Sequence, residues 1–88
     1  SNMTGTPMSS HSTDDKLVYM ANQIGTFFVT QGEQTAPAKI AEHITKFWDP
    51  RMRAAIVTHF ESGAAGLHPA ARQAVAMLAS EVSNANAT

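Results

Sequence analysis

Phe47-Trp48-Asp49-Pro50-Arg51-Met52-Arg53 is the stretch on which the fold turns. Aspartate followed by proline is a helix-start pair: the carboxylate accepts from an unsatisfied N–H of the first turn, and proline has no N–H to waste there. The apolar line Ile40, Ile44, Phe47 enters the stretch at helical spacing, and Met52, Ile56, Phe60 leaves it at the same spacing. Two helices therefore meet at Trp48-Asp49-Pro50, with too little chain between them for a loop. The corner between them is sharp and well defined.

Working outward, the helix before the corner is predicted from about Pro37 to Trp48, capped by Thr35 or Ala36. The helix after it continues to Gly63. Upstream, a first helix is predicted from about Asp14 to Gln31, capped by Ser12 or Thr13 and stopped by Gly32. Asp14 and Asp15 are then placed against the positive end of its dipole. Its main apolar stripe is Leu17, Met20, Ile24, Phe27 and Phe28, with a weaker line of Val18, Gly25 and Val29. Downstream, Gly63-Ala64-Ala65-Gly66 reads as a flexible turn. Leu67-His68-Pro69 leads into an Ala-rich helix to about Val82, with Ala71, Val75, Leu78 and Val82 on one face. Its small side chains bury little area, so it is the helix most in need of a neighbour.

The fold class is all-α, a small bundle of about four short helices with disordered termini. Residues 1–13 are a polar tail, 14–82 the helical domain, and 83–88 a second tail. Ser1-Asn2 ahead of Met3 reads as the remnant of a cleaved tag.

At 88 residues there is room for one domain, and a chain this short buries only about 60% of its unfolded surface. A hydrophobic content of 43% argues against disorder but leaves the core thin. Small scaffolds are usually reinforced by disulfides, a metal or a partner. The chain has no cysteine, which removes disulfides and thiolate metal sites and leaves a partner or close helix packing. The net charge of −1 and the lack of a basic run give no drive toward nucleic acid or anionic lipid. No apolar run approaches the roughly 20 residues that span a bilayer, and no signal peptide is evident, so a cytoplasmic location is expected.

Catalytic chemistry finds little footing. His11, His43, His59 and His68 fall on separate elements, so no helix offers a pair of ligands on one face. His59 lies on the apolar face of its helix, where a hydrogen-bonded core histidine is the commoner outcome. His43 flanks the second helix and could approach it. No nucleophile elbow or phosphate-binding loop is present, and the carboxylates are scattered over solvent faces. A small DNA-binding or regulatory module is the alternative reading, with Pro50-Arg51-Met52-Arg53 opening a recognition helix on an otherwise neutral surface.

The corner itself concentrates Trp and Arg, the residues most enriched at interface hot spots. It also has a plainer reading, in which Phe47 and Met52 are core, Trp48 half-covers the bundle end and the arginines are solvated. Beyond these physical arguments, His43-Ile44-Thr45-Lys46-Phe47-Trp48-Asp49-Pro50-Arg51-Met52-Arg53 resembles the signature of the delta subunits of soluble NAD-dependent formate dehydrogenases. Leu17-Val18-Tyr19-Met20-Ala21-Asn22-Gln23-Ile24 is similar to the opening helix of that family, and Gly63-Ala64-Ala65-Gly66-Leu67-His68-Pro69 also fits, although the family often has an acidic residue where His68 stands. The resemblance spans roughly Asp15 to Leu78.

It implies an accessory subunit with no cofactor of its own. In such a complex the molybdenum or tungsten cofactor, the iron–sulfur clusters and FMN sit on partner subunits. The delta subunit binds the large catalytic subunit and supports its assembly or stability. Trp48, Arg51, Met52 and Arg53 are then the expected contact residues, with Phe47 as core support and Asp49-Pro50 fixing the corner. Replacing Trp48 by alanine is expected on this view to weaken partner binding with helix content unchanged. The isolated chain could also self-associate through the surface meant for its partner.

Overall fold

A computed structural model describes residues 6–87, and the side chains of residues 13–82. Among the described residues there are four helices and no strand: α1 (Thr6–Gln31), α2 (Ala36–Phe47), α3 (Pro50–Glu61) and α4 (Pro69–Ala87). The expected disorder of residues 1–5 and 88 lies outside the described residues. Residues 6–13 and 83–87, read from sequence as tails, are instead continuous with α1 and α4. Pro7 falls in the first turn of α1, where it is tolerated, and no further proline or glycine follows before Gly25. Extending an existing helix fixes one residue per hydrogen bond, so weak helix formers without a breaker are carried along. Ser12 and Thr13 are therefore interior positions, not caps, and Asp14 and Asp15 stand away from the helix start.

The corner forms as its sequence demands. Asp49 adopts an extended conformation and its Oδ1 accepts from the Met52 N–H at 2.9 Å, while Pro50 takes the first position of α3. Asp49→Ala removes this cap and is expected to cost about 1 kcal/mol. Thermal unfolding followed by circular dichroism should place its midpoint several degrees below that of the parent, with Asp49→Ser close to the parent. Equal midpoints for all three would mean the cap contributes nothing.

The helices α2 and α3 hardly touch beyond the corner; each instead packs on α1 and α4. The closest association is α4 on α2. It rests on very small residues: Ala36 on α2 and Ala71 and Ala74 on α4 are fully buried beside Ile40, Ile44 and Val75. Alanines let helix axes approach, which recovers by close packing what they lack in area. The helix expected to need an outside neighbour finds it in α2. Only Val82 of its predicted face is left exposed.

The buried side of α1 is displaced from the stripe of large residues. Leu17, Ala21 and Gly25, four apart, face inward. A Cβ added at Gly25 would stand 3.6 Å from Ile40 Cδ1 and 3.7 Å from Ala71 Cβ, so at this point three helices converge. Met20, Ile24 and Phe28 pack along one edge of that face, and Val18 and Val29 along the other. Phe27 is left outside. The two apolar lines seen in the sequence flank one buried face, whose centre takes Leu17 from the first line, Gly25 from the second and Ala21 from neither.

The turn between α3 and α4 is not loose. Gly63 and Ala64 donate to the carbonyls of Phe60 and His59, the paired bonds of a Schellman ending, with Gly63 at a φ of 124°. The next three carbonyls are each taken: Ala64 accepts from the Leu67 N–H, Ala65 from the His59 ring, and Gly66 from the Asn22 side chain. A glycine-rich stretch read as flexible is pinned from two other helices.

Candidate interaction surface

The structure divides the residues of the corner into two groups. Trp48 ends α2 and continues the four-residue line Ala36, Ile40, Ile44 into the core, where it is only 4% exposed. Phe47, one position earlier and 100° around, is 72% exposed. The expected roles are thus reversed: Phe47 is not core support, and Trp48 is not a surface anchor. The error has a physical origin. Period-3.6 reasoning places Ile40, Ile44 and Phe47 on one stripe, but the buried face of α2 is centred on the 36-40-44-48 line. Phe47 lies at its outer margin.

Arg53 is also committed internally. Its Nη1 donates to the Trp48 carbonyl at 2.6 Å and lies 3.3 Å from the Thr45 carbonyl. A cation at the end of α2 complements the negative pole of the helix and satisfies carbonyls left without intrahelical partners. This draws a guanidinium away from the recognition-helix arrangement that the alternative DNA-binding reading requires. Met52 is half-buried against the core. Of the four expected contact residues, Arg51 alone is exposed.

His59 is held between elements, as the apolar setting of its helix suggests. Its Nε2 donates to the Ala65 carbonyl at 2.7 Å, and Nδ1 faces Asp14 Oδ2 at 3.7 Å. His43 does not approach it; its ring instead stands between Phe28 and Phe47. Among the described residues no group of three or more His, Cys, Asp or Glu side chains is placed to hold a metal ion. No helix among them is long and apolar enough to cross a membrane.

What the sequence reading missed is a line of rings across the outside of α1 and α2. Phe27 meets Phe28 edge-on with centroids 5.1 Å apart. Phe28 meets His43 at 6.4 Å, and His43 meets Phe47 at 4.7 Å. Phe27 is 56% exposed, and Tyr19, two turns earlier on α1, is 64% exposed with its hydroxyl accepting from Gln23. A signal was present: Phe27-Phe28 is an adjacent aromatic pair 100° apart on the helix, so at most one of these two large rings can lie near the centre of the buried face.

The profile of the family described as "NADH-dependant formate dehydrogenase delta subunit FdsD" matches residues 16–75, well over half of the chain. The chain belongs to this family. Comparison with curated proteins and with solved structures finds no match. The delta-subunit match takes in most of α1, all of α2 and α3, and the first two turns of α4. It therefore includes the corner, the pinned turn and the whole aromatic line.

Proposed function

We propose that this chain is a non-catalytic accessory subunit of a cytoplasmic NAD-dependent formate dehydrogenase complex, which binds the large catalytic subunit and supports its assembly or stability. The observation that carries the reading is the delta-subunit family match over residues 16–75. Two features of the chain favour a supporting role. It lacks cysteine, so it cannot hold an iron–sulfur cluster through thiolates. It also keeps large aromatics in water, which an isolated helical bundle has no reason to do. On this reading the molybdenum or tungsten cofactor, the iron–sulfur clusters and FMN belong to the partner subunits.

The test is co-expression of a tagged catalytic subunit with and without this chain. The chain is expected to be captured in stoichiometric amount, and formate-dependent NAD reduction should decay faster when the chain is missing. Equal yield and half-life in both preparations, with no capture, would remove the proposal. Formate oxidation by the chain alone would contradict the non-catalytic part of it.

A further inference from the structure

We infer that the aromatic ridge Phe27, Phe28, His43 and Phe47, and not the Trp48–Arg53 corner, is the surface this chain inserts into an apolar concavity of the catalytic subunit. The inference rests on the accessory-subunit reading and adds the location and chemistry of its contact.

The ridge is suited to docking by its construction. Its two outer rings, Phe27 and Phe47, project into solvent, while Phe28 between them is packed against the core. The four rings touch in series, so each limits the rotation of the next. Phenylalanine has few rotamers to lose, and a row already braced from beneath loses fewer still, which lowers the entropic cost of association.

Charge narrows the occupant. Beside the ridge on α2, Glu42 and Lys46 pair with each other at 3.3 Å, and Lys39 adds a single positive charge to that flank. An aromatic ridge with one lysine beside it lacks the basic cluster that phosphate backbones or anionic lipid require; its complement is an apolar protein surface. Area then separates a larger subunit from a second copy. With Tyr19, the exposed parts of the three rings come to roughly 400 Å² if a full ring side chain offers about 200 Å². A standard interface buries about 800 Å² on each partner. Two convex ridges set against each other would cover about half of that. A larger subunit that receives the ridge and closes over its polar margin, where Lys39, Glu42 and Lys46 are exposed, reaches the full size.

The test uses the full chain co-expressed with the tagged catalytic subunit, comparing the parent, F27A/F47A, F27L/F47L and Arg51→Ala. Captured chain is quantified, and helix content and the oligomeric state of each chain alone are recorded. F27A/F47A is expected to bind at least about 30-fold more weakly, the size of a hot-spot loss, with helix content unchanged. F27L/F47L should recover part of the loss, and Arg51→Ala should bind like the parent. If the parent is captured and F27A/F47A is captured equally well, the inference fails while the accessory-subunit reading stands. A double variant that alters only self-association of the isolated chain assigns the ridge to a second copy and also overturns it. If the parent itself is not captured, the underlying reading fails and the inference with it.

Discussion

Trp48→Ala is expected to destabilise this domain severely rather than to weaken a contact. The indole is 4% exposed and closes the core line begun by Ala36, Ile40 and Ile44, at the point where α2 ends and the chain turns. Truncating a buried Trp typically costs about 3–5 kcal/mol, the lost transfer energy plus the cavity left behind. A domain of this length has only about 4–13 kcal/mol in total. The corner loses a second support as well. Arg53 donates to the Trp48 carbonyl, and a relaxed residue 48 no longer presents that carbonyl at a fixed position. The thermal midpoint should fall by at least about 12 °C, with Trp48→Phe recovering much of it. This reverses the outcome expected from sequence, in which the same substitution spares the fold and costs binding. A variant with unchanged midpoint and lost capture would restore the surface role of Trp48.

The parts of this protein legible in its sequence are those that local chemistry determines. Asp49-Pro50 needs nothing but its own backbone to start a helix, and it does so where read. Ile40, Ile44, Ala71, Val75 and Leu78 also lie where their spacing places them, since each sits near the middle of its buried face. The misreadings fall at the edges of faces. Hydrophobic spacing weights side chains by size, so on α1 it follows Met20, Ile24 and Phe27, gives Gly25 only a weaker line and overlooks Ala21, although these two small residues lie at the centre. On α2 it extends the stripe to Phe47 when one further residue, Trp48, is nearer the axis of burial. The start of α1 was misplaced for another reason: Ser12-Thr13-Asp14 has the composition of a cap, but a cap operates only where the chain upstream is not already helical.

Asn22 carries the second large expected effect, and no local rule points to it. Asparagine inside a helix is a modest liability, because its amide competes with the backbone for hydrogen bonds. Here both ends of that amide are used across the fold. Nδ2 donates to the Gly66 carbonyl at 2.9 Å, and Oδ1 accepts from the His68 N–H at 2.9 Å, forty-four and forty-six residues away. His68 immediately precedes α4, and its own carbonyl accepts from the Arg72 N–H at 2.8 Å. One side chain on α1 therefore sets where α4 begins, and with it the register of the alanine-lined packing on α2. Losing two such bonds costs about 1–3 kcal/mol, and alanine at a helical position returns only about half a kilocalorie. Asn22→Ala should lower unfolding stability in urea by roughly that net amount. Asn22→Asp makes the sharper comparison. It keeps the size and the acceptor for His68 but replaces the donor facing the Gly66 carbonyl with an oxygen, so it should be no more stable than the alanine variant. Amide exchange at His68 should then separate the two, staying slower in the aspartate variant, which still accepts from that N–H. If Asn22→Asp is as stable as the parent, the Gly66 bond contributes nothing and the α4 entry is held from α1 by the His68 bond alone. The ridge on α1 and α2 lies outside this linkage, so a folded Asn22 variant is expected to be captured by the catalytic subunit as the parent is.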